Sequence, residues 1–538
     1  MRQKVLRFVF FFILINSTLL SFTPASLARM PDELAVTECK LKQLEIRRAT
    51  SSNSFSISGG SVRIGFPLST FRVSGVGNQN VLVLPIDFSD APSELGSVDA
   101  FEYFIEPKKV NKFYSIMSDS ALNLTFSVYP KVHRMKLKSE DYGSWTQGRK
   151  SWGLFADVFN SEITNVLNEY QSERQYSSLA ILVLGKSDAW KAWGPGGVAL
   201  TSNDAANYFY GQNNLRNSIF LVDEEGVRIG DLFIHEFGHL LGFVDLYATP
   251  DSVGNSTGPF DVMAYHEANS KTFLTWNLWL KGWIPDDRVV CLQYRTQVTS
   301  QVYLDKIGTN TGKRMIVIKE DDSSAIVIEP RLNTEFDLLG ENTGILVYRV
   351  TPMPVAQKSY IQIIPHANEV TNSPKVMSDV IRFSKAPIPT GEYVQINSLL
   401  IENFTQNSNG INVGLHWGDD ASKRKNELDD SKSKAAAELK AKQEAEAAAW
   451  LKAKQEAEAK AAAELKAKQE AEAKAAAELK AKQEAEAKAA VELKAKQEAE
   501  AAAKAAAAKK ITITCVKGKI IKKVTAVKPK CPKGYNRK

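Results

Sequence analysis

The sequence predicts an α+β protein in which a domain with an α/β layer is followed by an antiparallel β-sandwich domain and a long single α-helix with a small basic C-terminal module. Three features support this prediction. Continuous apolar runs alternate with helical periodicity in the first half of the chain. Short alternating runs separated by turn residues follow, and a 14-residue repeat rich in Ala, Glu and Lys precedes a basic end.

The chain begins like an exported protein. Arg2 and Lys4 precede an apolar run over residues 8–20 and a small-residue cleavage site at Ala28, so residues 1–28 are predicted to be a signal peptide. We therefore expect a secreted protein that is extracellular or associated with the cell surface. No other stretch is apolar enough over a sufficient length to cross a bilayer, so no transmembrane span is expected after cleavage.

The four cysteines fit an oxidising compartment. Cys39 and Cys291 flank the first domain, whereas Cys515 and Cys531 lie close together near the end of the chain. The economical pairing joins Cys39 to Cys291 and Cys515 to Cys531, although four cysteines allow three connectivities.

The first domain alternates predicted strands with predicted helices, an order typical of a sheet covered by helices. The Gly- and Pro-bearing stretch Ala192–Ser202 is predicted to be a loop, which either borders a substrate cleft or is an ordinary surface loop. The predicted elements are the strands Asn80–Phe88, Leu122–Tyr129, Leu179–Leu184 and Asn217–Val222 and the helices Pro107–Met117 and Trp152–Tyr170.

The stretch His235–Tyr247, HEFGHLLGFVDLY, carries the clearest chemical signal. It predicts a short helix with Asp231 as N-cap and Gly242 as its stop. His235 and His239 are four residues apart, so their imidazoles rise from one helix face, as two ligands of a single Zn2+ ion must.

Two carboxylates complete the predicted metal site. Glu236 is next to the first histidine and cannot easily share the metal, but it can reach a water there and act as general base. Once Gly242 has turned the chain back, Asp245 is available as the third ligand or as a carboxylate that holds a histidine tautomer. A bare HExxH occurs by chance, whereas the longer string HExxHxxGxxD is a more specific signal.

Residues Gly258–Glu267, GPFDVMAYHE, resemble the methionine turn of the metzincin metallopeptidases, with Met263 as the residue under the zinc-binding histidines. With HEFGHLLGFVDLY, the later LWLKGWI of Leu278–Ile284, and the strings DFSD and ENTGILVYRV, the chain resembles the immune-inhibitor-A group of secreted bacterial metallopeptidases. The resemblance covers roughly residues 78–350.

This resemblance implies a metzincin-like zinc endopeptidase that hydrolyses peptide bonds in a protein or peptide substrate. It implies a Zn2+ ion bound by His235 and His239 with Asp245 as third ligand, and Glu236 as the catalytic base for a metal-activated water.

Two further residues follow Met263. The resemblance implies that Tyr265 is either a catalytic residue that reaches the metal or the oxyanion, or a packing residue. His266 is an alternative ligand if Asp245 does not serve.

Two other functions stay open. The chain could be a non-catalytic cell-envelope scaffold or adhesive protein with a metallopeptidase-like head, although the intact Glu236 argues against this. The same zinc chemistry could also hydrolyse a carbonyl centre other than a peptide bond.

After the first domain, short strands separated by turn residues predict an antiparallel β-sandwich that gives packing support or binds substrate or a surface. The predicted strands are Val302–Lys306, Met315–Lys319, Ala325–Glu329, Ile345–Val350, Tyr360–Ile364, Val394–Ile396 and Ile411–Trp417.

A repeat of KAAAELKAKQEAEA fills residues 434–510 and consists of the strongest helix formers, with opposite charges in i,i+3 and i,i+4 reach. Its period of two heptads allows a coiled coil, and hence an oligomer, through this helical stalk. Alanine at most other core positions favours a solvated single helix that acts as a spacer.

The last segment, 511–538, contains nine Lys or Arg residues and no carboxylate, so the net charge of +7 arises there. A disulfide-closed basic knob could hold an anionic cell-envelope polymer or lipid headgroups, or serve as a solubilising tail. No nucleic-acid partner is expected, because the exported chain has no recognisable nucleic-acid-binding fold.

The predicted organisation has seven parts. They are the signal peptide 1–28, an N-terminal extension or propeptide 29–77, the zinc metallopeptidase domain 78–290, the β-sandwich domain 291–418, a charged linker 419–433, the helical repeat stalk 434–510 and the basic Cys-containing module 511–538.

Overall fold

The computed structural model describes most of the chain in two compact units, Met1–Asp430 and Ser431–Lys538. The predicted signal peptide and His266 lie outside the described residues. No helix in the described part is long and apolar enough to cross a membrane. The described residues are 33–42, 64–68, 73–142, 149–170, 174–186, 196–200, 217–223, 229–247, 257–265, 270–294, 299–309, 311–352, 360–366 and 383–538.

The first part of the chain is an α/β layer, as its alternating pattern predicts. Its elements are β1 (Gly77–Asp87), α1 (Ser97–Ile105), α2 (Pro107–Met117), β2 (Leu122–Val128), β3 (His133–Arg134), α3 (Arg149–Glu169), β4 (Ser178–Val183), β5 (Gly196–Leu200), β6 (Asn217–Val222), α4 (Ile229–Leu241) and α5 (Thr275–Lys281).

These strands form one sheet with the order β2-β1-β4-β6-β5, and β3 pairs with the end of β1. Every pair is parallel except β5 with β6. Helices cover both faces, which explains why every residue of β4 is buried and why all of them after Ser178 are apolar. Helix α4 packs against one face among residues of β1 and β4, and the apolar positions of α3, from Phe159 to Leu167, pack against the other.

The loop predicted over Ala192–Ser202 is partly wrong. Residues Gly196–Leu200 form β5, an antiparallel strand at the end of the sheet, and the rest of the stretch lies outside the described residues. Two glycines in five residues concealed the alternation by which a strand is recognised, because glycine has no side chain to mark a face.

The N-cap predicted for the metal-binding helix is also wrong. Helix α4 begins at Ile229, so Asp231 lies in its first turn and not before it. Asp231 is fully buried and pairs with Lys109 at 2.6 Å and with Lys271. A carboxylate in the first turn still stabilises the helix, because the N-terminal end of the helix dipole is positive.

The second part of this unit contains two sheets. The five-stranded sheet has the order β12-β11-β10-β9-β7, and the four-stranded sheet has the order β13-β14-β15-β8. The strands are β7 (Val289–Gln293), β8 (Ser300–Asp305), β9 (Met315–Lys319), β10 (Ala325–Arg331), β11 (Gly344–Val350), β12 (Ile361–Ile363), β13 (Tyr393–Ile396), β14 (Leu399–Gln406) and β15 (Gly410–Trp417).

The two sheets share one apolar core, as a sandwich requires, but the sandwich is not wholly antiparallel because β7 pairs with β9 in parallel. The five-stranded sheet is buried on both faces. Ile316 and Ile318 face the four-stranded sheet, whereas Met315 and Val317 join the core of the α/β layer. The predicted peptidase and sandwich domains therefore share a core within one compact unit.

The described part of the N-terminal extension packs into this shared core. Cys39, Leu41 and Ile64 are buried, and Trp276 Nε1 donates a hydrogen bond to the Ile64 carbonyl at 2.7 Å. The predicted disulfide between Cys39 and Cys291 is confirmed.

Helix α6 (Gly418–Ala507) begins immediately after β15, so the charged linker predicted over 419–433 is wrong. Ala421 and Leu428 are buried against β14, and Arg424 binds Glu402 with contacts of 2.6 and 2.8 Å. These two apolar residues are seven apart and share one helix face. The stretch was predicted to be a linker because it contains few apolar residues. From Ser431 to Ala507 every described helical residue is exposed or partly exposed, as in a solvated helix.

The C-terminal module is a three-stranded antiparallel sheet. Strand β16 (Ile511–Lys517) lies between β17 (Ile520–Ala526) and β18 (Asn536–Arg537). The predicted disulfide between Cys515 and Cys531 is confirmed and closes the module.

Candidate metal centre

Helix α4 presents its two histidines on one face and its apolar side chains on the other. Phe233, Phe237 and Leu240 are buried in the core. Glu236 and His235 are also nearly buried, each 6 % exposed. The sequence therefore keeps two ionisable groups in a site with little water.

Gly242 ends the helix with a φ of +102°, a conformation that a residue with a side chain rarely adopts. Two hydrogen bonds close the last turn, from the Gly242 N–H to the His239 carbonyl at 2.9 Å and from the Phe243 N–H to the Gly238 carbonyl at 3.0 Å. This reversal returns Asp245 to the face that carries the histidines.

Three side chains then meet at one point. Asp245 Oδ1 lies 3.2 Å from His235 Nε2 and 3.1 Å from His239 Nε2. The ligand atoms of these three residues all lie within 4.8 Å of one another, and they are the only group of this kind among the described residues. The spacing read from the sequence therefore brings together all three predicted ligands.

The other ring nitrogens determine which atoms face the centre. His235 Nδ1 lies 2.9 Å from the Val262 carbonyl and His239 Nδ1 lies 2.9 Å from the Phe243 carbonyl. A carbonyl accepts only, so each Nδ1 carries a proton and donates it. In the neutral rings both Nε2 atoms are then lone pairs directed at a carboxylate oxygen.

A cation between these three atoms would satisfy all of them. Asp245 Oδ1 is buried and makes no hydrogen bond of acceptable geometry with any described residue, despite its short distances to the two rings. A metal ion would satisfy all three atoms, and two imidazoles with one carboxylate form a donor set that metals accept. The residues present therefore fit a metal ion.

The electrostatics agree with a site built for positive charge. Burial lowers the pKa of His235, but the nearby carboxylates of Asp245 and Glu236 outweigh it and raise that pKa to about 9. Burial raises the pKa of Asp245, but the two histidines hold it well below its usual range. Burial raises the pKa of Glu236 above its usual value, against the opposing charges of the histidines.

Met263 packs against helix α4 at Gly238, between the two histidines in sequence. Its side chain is fully buried, and a Cβ placed on Gly238 would lie 2.7 Å from its sulphur. Only glycine therefore fits at position 238 while Met263 keeps this place. Gly238 is visible in the sequence as the glycine of HEFGH. The spacing of the motif did not show that glycine is required there.

Buried Asp261 holds the turn that carries Met263. Its Oδ1 accepts the Met263 N–H at 2.8 Å, and its Oδ2 accepts the Leu274 N–H at 2.8 Å and the Asn277 amide at 3.0 Å. Both oxygens are therefore used, and the turn is fixed to the start of α5.

A tyrosine absent from the predicted site contacts the cluster. The Tyr247 hydroxyl hydrogen-bonds with Asp245, and its ring lies 6.4 Å from the His235 ring, nearly parallel to it. Burial and the Asp245 carboxylate together raise the pKa of Tyr247. The tyrosine was visible at the end of the motif, two residues beyond Asp245, but the turn predicted at Gly242 did not show that Tyr247 would also contact the cluster.

Tyr265, the predicted catalytic tyrosine, is held in the turn through its backbone. The Tyr265 N–H donates to the Asp261 carbonyl at 3.2 Å, and its side chain is partly buried. Its catalytic role therefore stays a prediction.

A comparison with known protein families finds no matching family, and a search of curated proteins finds no matching sequence.

Proposed function

We propose that this chain is a secreted zinc endopeptidase of the metzincin type, similar to the immune-inhibitor-A group. Its metal ligands would be His235, His239 and Asp245, with Glu236 as general base and Tyr265 as a candidate partner of the oxyanion. The observation that carries the proposal is the meeting of three metal-ligating side chains, one buried and two partly buried, beside a buried glutamate.

The donor set favours zinc over calcium and magnesium. Two imidazole nitrogens and one carboxylate suit a borderline-soft ion, whereas calcium and magnesium take oxygen ligands. When bound, zinc would supply Lewis-acid chemistry and lower the pKa of a water at its open position toward neutrality.

Glu236 is suited to hold the proton that moves during peptide hydrolysis. Burial raises its pKa and so makes it a stronger proton acceptor, which would take a proton from the attacking water and pass it to the departing amine. A scaffold protein would have no use for a buried carboxylate at this position, because burying a charge is costly.

The edge strand β5 is consistent with a peptide substrate. Strand β5 packs beside α4, and among the described residues it pairs only with β6. An unpaired strand edge can bind an extended peptide through backbone hydrogen bonds, which would bring its carbonyl groups alongside the metal helix.

The test is a substitution of Glu236. We expect E236Q to bind one zinc ion per chain, as the wild type does, and to lose casein hydrolysis by about 100-fold or more, since a general base contributes roughly that factor. Zinc is measured by elemental mass spectrometry and cleavage by release of labelled peptides. E341Q, which alters an exposed glutamate, is the matched control.

Two outcomes would contradict the proposal. If E236Q cleaves casein as fast as the wild type, Glu236 is not the base. If the wild type binds zinc but releases no peptide from a broad peptide library, the head is a non-catalytic scaffold or acts on another carbonyl substrate.

A further inference from the structure

The C-terminal module combines a single sign of charge with exposed apolar residues. Residues 511–538 contain nine Lys or Arg residues and no Asp or Glu. Ile511 is 58 % exposed, and Val527 is 45 % exposed at the same end of the β16–β17 pair. A solubilising tail explains the charge but gives no reason for exposed β-branched side chains.

At the other end of the hairpin, lysines and exposed apolar residues lie closest together. Lys517 pairs with Ile520, which closes a two-residue turn at Gly518 and Lys519. Gly518 has a φ of +62°, as the first central residue of a tight II′ hairpin turn requires. The turn and its flanks read KGKIIKK, residues 517–523, which we call the hairpin tip.

Both isoleucines of the tip are on the surface. Ile520 is 59 % exposed and Ile521 is 60 % exposed. Because successive strand residues point to opposite faces, the tip carries one isoleucine on each face, with Lys522 and Lys523 directly behind them. The disulfide between Cys515 and Cys531 ties β16 to the chain beyond β17, which keeps this arrangement compact.

We propose that the hairpin tip docks onto the surface of an anionic lipid bilayer. The lysines would contact lipid phosphates, and the two isoleucines would enter the boundary between headgroups and acyl chains. A soluble polyanion would use the charge alone and gain nothing from the isoleucines. The proposal is independent of catalysis by the head, so the two can fail separately.

The experiment uses the full chain from Arg29 to Lys538 and vesicles pelleted by centrifugation. We expect binding to phosphatidylcholine vesicles with about 30 % phosphatidylglycerol and not to pure phosphatidylcholine, and binding should fall at high salt. K517Q/K519Q/K522Q/K523Q should bind at least about 100-fold more weakly, since each lysine contributes roughly five-fold. I520S/I521S should bind about 10-fold more weakly.

Matched controls come from the stalk. K466Q/K468Q/K480Q/K482Q removes four exposed lysines, and L465S/L479S removes two leucines that are each 58 % exposed. Both should bind like the wild type. Recovery of the peptide pair joined by Cys515 and Cys531 verifies that each tip variant has folded.

Three results would overturn the proposal. Equal binding to neutral vesicles would show that anionic lipid is not recognised. Unchanged binding of I520S/I521S, together with displacement from vesicles by soluble poly(glycerol phosphate), would identify a polymer site. Absence of binding to either vesicle would leave the module as a solubilising tail.

Discussion

Tyr247 shows how a single hydroxyl can support a metal site from outside its set of ligands. One oxygen of Asp245 faces the two histidines, and the hydrogen bond from Tyr247 holds the same carboxylate in place. Groups that orient a ligand in this way commonly change metal affinity by about 10- to 100-fold.

We therefore expect Y247F to weaken zinc binding by roughly 10-fold without unfolding the protein. Competition with a chromophoric chelator measures the affinity. Y303F, which removes a partly exposed hydroxyl from β8, is the control. Equal zinc affinities for Y247F and the wild type would mean that the hydroxyl does not orient Asp245.

Asp261 offers a test of the methionine turn that depends on pH. Burial raises the pKa of Asp261 from 3.8 to about 6, although the N–H groups of Leu274 and Met263 oppose the shift. The folded state therefore holds the proton more tightly than the unfolded state. This contribution to stability is complete below pH 3.8 and is lost as the pH rises through about 6.

D261N cannot titrate, so we expect its free energy of unfolding to fall less than that of the wild type between these pH values. At pH 7 the variant should still be less stable by about 1–3 kcal/mol, because an amide leaves one of the buried donors without an acceptor. Denaturant titrations at several pH values measure both effects, with D287N, at an exposed aspartate, as the control. Parallel pH profiles for D261N and the wild type would contradict this account.

Residue types and spacing predicted the metal cluster well, because ligands four apart on a helix and a glycine stop are local features. His235, His239 and Asp245 meet as the motif implies. Tyr247 and the requirement for Gly238 under Met263 were not predictable, since both depend on how separate segments return to α4.

The same distinction holds for whole elements. Helix α2 and strand β6 have the predicted bounds because each shows its periodicity throughout. Strand β14 was missed, and β5 and the first turns of α6 were misassigned. Their identity depends on neighbouring segments. Strand β5 is defined by its pairing with β6, and the start of α6 by the packing of Ala421 and Leu428 against Leu400 of β14.

The charge pattern of the stalk argues against a coiled coil. Leu465 is 58 % exposed, and the positions seven residues on either side of it are Glu458 and Glu472. A paired helix would bury a glutamate in alternate layers, at a cost that few leucines can offset. In the single helix, Lys and Glu alternate at i,i+4 spacing along the surface, as in the series Lys452, Glu456, Lys460, Glu464, Lys468 and Glu472.

We therefore expect the full chain to sediment as a monomer at micromolar concentration. E458L/E472L/E486L places a leucine every seven residues from Leu451 to Leu493 and should convert the chain to an oligomer. E456L/E470L/E484L adds the same number of leucines out of register and should form oligomers less readily. A wild-type chain that is already dimeric would contradict the single-helix interpretation.

At the scale of the whole molecule, the first unit is built around a sheet with no free face. The sequence placed a boundary near residue 290, but the five-stranded sheet contributes to the core on both sides of it. Arg331 at the end of β10 also binds the carbonyl of Phe260 at 2.7 Å, close to the methionine turn. The sandwich therefore contacts the segment that leads into the methionine turn. Strand periodicity alone could not predict this contact, because it does not show which strands pack against the first domain.

The disulfide between Cys39 and Cys291 joins the N-terminal extension to this sheet across 252 residues of sequence. A crosslink over so long a loop restricts the unfolded chain strongly, with an upper estimate of roughly 5 kcal/mol from loop entropy. We expect C39S/C291S to lower the denaturant midpoint of the head, followed by the fluorescence of the buried Trp276 and Trp279. C515S/C531S should leave that midpoint unchanged.

The same bond bears on whether the extension is removed. Cleavage between residues 43 and 63 would leave residues 33–42 held by Cys39, with Leu41 still buried in the core. We therefore expect a chain nicked there to release no N-terminal peptide until a reductant is added, when gel electrophoresis under denaturing conditions separates the fragments. Release without a reductant, or an unchanged midpoint for C39S/C291S, would mean that the extension is not a fixed part of the folded head.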